Sequence, residues 1–207
     1  MTAHSETRPS HRFLDVATVV LLSVTAVLTA WCGFEASKWG GEMSIAFSQA
    51  SSARVEAASA RATAQAARQY DLTLYTEWVL AEADGRADLV PFIEQRFTEE
   101  FAVAFDAWEA GGRSERGPFV MEEYVPPGTV EAEELSAEAD ARFADALRNN
   151  QRGDDYSLLT VLFALVLFFA ALSQNQRAMW RRTVFLGLSG FIAVIGVVLL
   201  ATFPIKL

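Results

Sequence analysis

Three long apolar runs interrupt an otherwise polar and strongly helical pattern. Phe13 to Phe34 is a 22-residue stretch whose one charge is Asp15 near its start, Leu158 to Leu172 is 15 residues without charge, and Thr183 to Pro204 is 22 residues without charge. A helix needs about 20 apolar residues to cross the hydrocarbon core of a bilayer. The first and third runs reach that length as they stand, and the second reaches it by recruiting Tyr156, Ser157, Ser173 and Gln174 at its ends. The pattern predicts an all-α membrane protein with spans at 13–34, 156–174 and 183–204, a tail at 1–12, a basic loop at 175–182 and a short end at 205–207. A soluble core helix is the plainer alternative for the middle run. The first run also has the basic start and apolar centre of a signal peptide. Leu28 and Ala30 ahead of Trp31 make a poor cleavage site, however, so it reads as a retained anchor.

Helical periodicity also governs 35–155. From Glu42 to about Ala83 there is no proline or glycine, and Ala, Gln, Arg and Glu dominate, all strong helix formers. This helix is predicted to run on from span one through Gly40-Gly41, a kink or hinge, and to extend roughly 60 Å at 1.5 Å per residue. Ala46, Ala50, Ala53, Ala57, Ala60, Ala64 and Ala67 alternate at spacings of four and three, an a/d seam made only of alanine, flanked by Arg54, Arg61 and Arg68. Such a seam lets two helix axes approach closely. It has two readings: contact with a later helix of the same chain, which is preferred, or self-association between protomers. The same-chain partner is Thr129 to Asn150, where Thr129 is the expected N-cap and Glu131, Glu133, Glu134, Glu138, Asp140 and Asp145 oppose the arginines.

Between them a helix is expected from about Asp88, its N-cap, to Ala110, with Pro91 in the first turn. Its stripe of Ile93, Phe97, Phe101, Ala104, Phe105 and Trp108 is expected to form a core with Tyr70, Leu74, Trp78 and Val79. Asp84-Gly85-Arg86 closes the turn between these helices. Gly111 to Gly128 is a long irregular loop whose Phe119, Met121 and Tyr124 either pin it across the hairpin, the preferred reading, or dock a partner.

Charge divides along the same lines. Residues 35–155 hold 24 acids against 11 bases, a net of −13, whereas the whole chain carries −9. The flanks of the spans are basic: Arg8 and Arg12 in the tail, Arg177, Arg181 and Arg182 in the loop. The positive-inside rule places both on the cytoplasmic side and the acidic segment outside. Trp31, Trp39 and Trp180 fall where interfacial anchors belong. The acidic balance argues against nucleic acid as a partner.

Candidate chemistry is sparse. His4 and His11 both sit in the tail, Cys32 stands alone at a membrane boundary, and no nucleophile elbow, phosphate loop, dinucleotide fingerprint or zinc motif occurs. No catalytic, cofactor-binding or metal-ligating residue is therefore assigned, no cofactor is expected, and an enzyme is not the expected reading. Thr18, Thr25 and Thr29 line one face of span one, and Gly187, Gly190, Ala193 and Gly196 line span three. Small and polar residues of this kind mark helix contacts in lipid, either within a three-span bundle or around a pore. Span two, with Phe163, Phe168 and Phe169, reads as lipid-facing.

The order of parts resembles a family of small bacterial three-span inner-membrane proteins of unknown function. The resemblance rests on a span leading into an Ala/Gln-rich helix, the Asp154-Asp155-Tyr156 entry to span two, the Arg181-Arg182 pair beside Trp180 and a Gly-rich last span. It implies a bacterial inner membrane and no particular activity. The leading expectation is a non-enzymatic, oligomeric scaffold or accessory subunit, with the lipid bilayer and either further copies of itself or another membrane protein as partners. The alternatives are a passive cation channel lined by the threonine stripe and a periplasmic sensor that works through a partner.

Overall fold

The computed structural model describes residues 9–205. His4, Arg8 and residues 206–207 of the expected tail and end lie outside them. The described residues form five α-helices and one short 3-10 turn: α1 Pro9–Ala83, α2 Leu89–Glu94, α3 Glu99–Ala110, the turn Pro118–Val120, α4 Thr129–Gln174 and α5 Met179–Thr202. The described residues contain no strand. Three of the helices, α1, α4 and α5, include segments long and apolar enough to cross a membrane. The chain separates into a span unit, Met1–Ala46 with Ala144–Leu207, and a hairpin unit, Phe47–Phe143.

In the span unit, α4 runs antiparallel to α1 and α5. At one end an Arg182 Nη2 donates to Asp15 Oδ1, joining the starts of α5 and α1. At the other, the Tyr156 hydroxyl donates to the carbonyl of Pro204 at 3.0 Å and the Tyr156 and Phe203 rings meet edge to face at 5.5 Å. Cys32, Trp39, Tyr156, Leu159, Phe163 and Val166 form the buried core, with Leu21, Leu28, Ile192, Ala193 and Leu200 against it. Span two is thus the most enclosed of the three and not the lipid-facing one. The reason is its phase: Leu159, Phe163, Val166, Ala170 and Ser173 recur at three and four residues and all point inward, while Phe168 faces out. Trp39, expected at the interface, is buried beneath the guanidinium of Arg152, 4.6 Å from its ring. Val16, Val20, Val161, Val194 and Val198 are exposed and give these helices an apolar outer surface.

The helix α1 continues unbroken through Gly40-Gly41. With no proline there and an uninterrupted ladder of backbone bonds, two glycines weaken a helix without ending it. At its far end Gly85 adopts a positive φ of 67° and the N–H groups of Gly85 and Arg86 return to the carbonyls of Glu82 and Ala81, which caps the last turn. The expected helix 88–110 is two helices. Asp88 makes no side-chain cap bond, and the chain breaks after Glu94. It restarts at Thr98, whose side chain accepts from the Phe101 N–H and which is followed by Glu99 and Glu100 in the first turn.

Trp78, Ala81, Ile93, Phe101, Phe105 and Trp108 form the hairpin core, with Leu74, Tyr75, Phe97, Phe119, Met121 and Tyr124 around it. Tyr70 and Val79 lie outside it, because residues 71, 74, 75, 78 and 81 share one helical face and 70 and 79 do not. Thr129 is the first helical residue of α4 and not its cap. The Ala132 N–H donates to the carbonyl of Gly128 at 3.0 Å, so Gly128 holds the cap position.

Candidate functional site

The alanine seam is buried inside one chain. Ala50 and Ala57 are 1% exposed, Ala53 and Ala60 7%, and Ala46 is likewise buried. Ala64 and Ala67 are half-buried. The opposing helix α4 buries its own alanines, Ala132, Ala139 and Ala146, at intervals of one heptad. Contacts within the hairpin unit fix the antiparallel register: Phe47 against Phe143 with ring centroids 5.4 Å apart, Arg54 facing Asp140 at 3.8 Å, and Arg61 donating to the Ser136 hydroxyl at 3.0 Å. A Cβ added to Gly128 would stand 2.5 Å from the Ala60 carbonyl oxygen, so the chain enters α4 pressed against α1. The Arg54 and Asp140 side chains are mostly exposed, so their pairing sets register more than energy.

Deeper in the hairpin unit is a polar centre that sequence reasoning missed. Asp71 is 1% exposed and accepts two hydroxyls, from Thr98 at 2.7 Å and from Tyr124 at 2.8 Å. One carboxylate thereby holds α1, the start of α3 and the irregular loop together. Burial, then the bond to Asp71, pushes the Tyr124 hydroxyl well above its ordinary value of 10.0, because both favour the neutral phenol. The signal was present in Thr98-Glu99-Glu100, a helix-start sequence that the longer apolar stripe overrode. Both buried indoles of the hairpin unit are satisfied: Trp78 donates to Glu94 Oε1 at 2.8 Å and Trp108 to the Glu115 carbonyl at 2.9 Å. Arg113, at a φ of 59°, closes the cluster. Its guanidinium lies 5.0 and 5.3 Å from the Trp78 and Trp108 rings and donates to Glu82 and Glu109 at 2.8 and 2.6 Å. Those two bonds, the Glu82 one first, raise its pKa. Phe119, Met121 and Tyr124 all pack on this core, and the loop is tied across the hairpin.

In the span unit, Thr18 and Thr25 are buried at 0% and 1% exposure, and Thr29 is half-buried. Thr18 donates to the Leu14 carbonyl at 2.7 Å and Thr29 to the Thr25 carbonyl at 2.8 Å, so these two hydroxyls turn back on their own helix. Gly196 is where α5 meets α4: an added Cβ would lie 2.7 Å from Phe163 Cε1. Ala193 packs on the same core. Gly187 and Gly190 differ, since nothing stands within 4 Å of a Cβ at either. The four small residues of span three are therefore not one contact stripe.

Glu35 is a second buried carboxyl that the sequence reading passed over, fully enclosed just beyond span one. It follows Cys32 by three residues and precedes Trp39 by four, which puts all three on one helical face. The described residues contain no group of three or more His, Cys, Asp or Glu side chains placed to hold a metal ion. No known protein family, curated protein or solved structure matches the chain.

Proposed function

We propose that the chain is a non-enzymatic scaffold or accessory subunit of a membrane complex, presenting an acidic helical hairpin at the periplasmic side of a bacterial inner membrane. One observation carries the proposal: α1 and α4 each run unbroken from an apolar span into the acidic segment, so the hairpin is built from the same two helices that anchor it. Its apolar and aromatic interior is closed, and its acids, Glu56, Glu77, Glu99, Asp106, Glu133, Glu138 and Asp140 among them, face outward. Such a surface recognises a partner by charge and position. The basic loop at 175–182 supports the cytoplasmic assignment of that side by the positive-inside rule.

Self-association through the alanine seam draws no support from a seam filled by the chain's own α4, nor does a pore through Thr18 and Thr25 from side chains enclosed in the bundle. Gly187 and Gly190, which nothing covers, are the surface that supports contact with a second membrane helix. The test is extraction of the full chain from its native membrane in mild detergent, followed by measurement of particle mass and of companion proteins. A particle heavier than one chain, with a companion or further copies in fixed ratio, is expected. A strict monomer without a companion would overturn the proposal.

A further inference from the structure

At the end of the span unit marked by Asp15 and Arg182, the chain forms a cleft of about 340 Å³ lined by Gln176, Trp180, Arg181, Val184 and Phe185. Its two halves differ in chemistry. A guanidinium and an amide form the polar half, and the start of the 24-residue apolar helix α5 forms the other. The adjacent arginines have separate fates. Arg182 is committed to Asp15, whereas Arg181, among the described residues, meets no acid and lies 5.8 Å from the Trp180 ring. Trp180 itself is 67% exposed, an amphipathic ring where the polar and apolar halves meet.

We infer that this cleft binds an anionic glycerophospholipid, with the phosphate held by the Arg181 guanidinium and the Gln176 amide and an acyl chain lying along Val184 and Phe185. Charge complementarity selects the head: a zwitterionic lipid would bring its own cation beside Arg181, and an anionic one does not. The apolar half selects a lipid over free phosphate, which would leave Val184 and Phe185 uncovered. Basic pockets of this kind, set at the membrane end of a helix, recur as lipid headgroup sites. The inference rests on the apolar helices lying in a bilayer and is independent of which side of the membrane the loop occupies.

The test uses the full chain in nanodiscs of equal phosphatidylcholine and phosphatidylglycerol, with retained lipid counted by native mass spectrometry after release. Retained phosphatidylglycerol is expected to exceed phosphatidylcholine by about fivefold, the effect of roughly one basic side chain at the headgroup level. Arg181→Gln should bring the ratio close to one, and Arg177→Gln, outside the cleft, should leave it unchanged. Melting in phosphatidylcholine alone shows that each variant is folded and inserted, which separates failure of the site from failure of the membrane reading. If Arg181→Gln does not fold, Gln176→Glu, which places a carboxylate beside Arg181, takes its place with the same expected loss. Equal retention of the two lipids by the wild-type chain, an unchanged ratio in the cleft variant, or displacement of the lipid by millimolar inorganic phosphate would overturn the inference.

Discussion

Replacing Gly128 by alanine is expected to damage the hairpin unit more than any other single-methyl change. The residue holds φ at 86°, where an L side chain costs about 1–2 kcal/mol. The new Cβ would also stand 2.5 Å from the Ala60 carbonyl oxygen and 3.4 Å from Thr63 Cβ. The closest of these is backbone in the middle of α1, which no side-chain rotation relieves. Moving two packed helices apart adds about 1–3 kcal/mol by the usual cost of overpacking. The total of roughly 2–5 kcal/mol corresponds to a fall of about 4–20 °C in melting temperature for a chain of this size. Gly85→Ala is the matched control, since Gly85 also has a positive φ, of 67°, but nothing lies within 4 Å of its Cβ. It should cost about 1–2 kcal/mol only. Melting followed by helical and aromatic circular dichroism in mild detergent measures both. Equal losses in the two variants would refute the close approach of α4 to Ala60.

Three further outcomes follow from the same contacts. Tyr124→Phe removes a donor from buried Asp71 and should cost about 1–3 kcal/mol at neutral pH. Because the folded state holds the phenol proton above its ordinary pKa of 10.0, the stabilisation is present below pH 10 and falls as pH rises past it. The variant should therefore lose less stability than the wild type in alkaline melts, and parallel losses would sink the account. Ala57→Leu, at a position 1% exposed, should cost about 1–3 kcal/mol, whereas Asp140→Ala, which loses an exposed pair with Arg54, should cost under about 1 kcal/mol; urea titrations giving the reverse order would refute the packed seam. Gly196→Ala should destabilise the detergent-extracted chain by about 1–3 kcal/mol, more than Gly187→Ala or Gly190→Ala, and an equal loss in all three would contradict the contact with Phe163.

The apolar runs made legible three helices long and apolar enough to cross a membrane, because a bilayer sets the apolar length a crossing needs. The alanine spacing likewise marked a face that α1 buries, whereas of the six acids named on 129–150 Asp140 faces an arginine of that face, Arg54, and Glu138 and Asp145 pair with arginines of their own helix. What stayed hidden depended on phase or on single polar contacts. Span two read as lipid-facing from its phenylalanines, but only Phe168 and not Phe163 faces out, and composition does not carry that distinction. The break at Glu94 was masked by a continuous aromatic stripe, because Ile93 and Phe97 stay on the core across two short helices as readily as along one. Asp71 was indistinguishable from its solvated acidic neighbours until Thr98 and Tyr124, 27 and 53 residues away, were brought to it. Asp15 read as an isolated acid at the edge of a span, and its partner Arg182 lies 167 residues further on.

Helices of a single chain close the acidic hairpin, with Ala50 and Ala57 of α1 and Ala139 of α4 buried. Cysteines placed at Arg61, whose side chain reaches across to the Ser136 hydroxyl at 3.0 Å, and at Ser136 test that closure directly when bridged in native membranes by a bifunctional thiol reagent about as long as the arginine side chain, since a direct disulfide needs closer Cβ atoms. The only natural cysteine, Cys32, is buried and leaves the readout clean. A cross-link within one chain is expected, seen as a faster-migrating monomer on a denaturing gel. A cross-linked dimer as the main product would contradict it and return the seam to an interface between protomers.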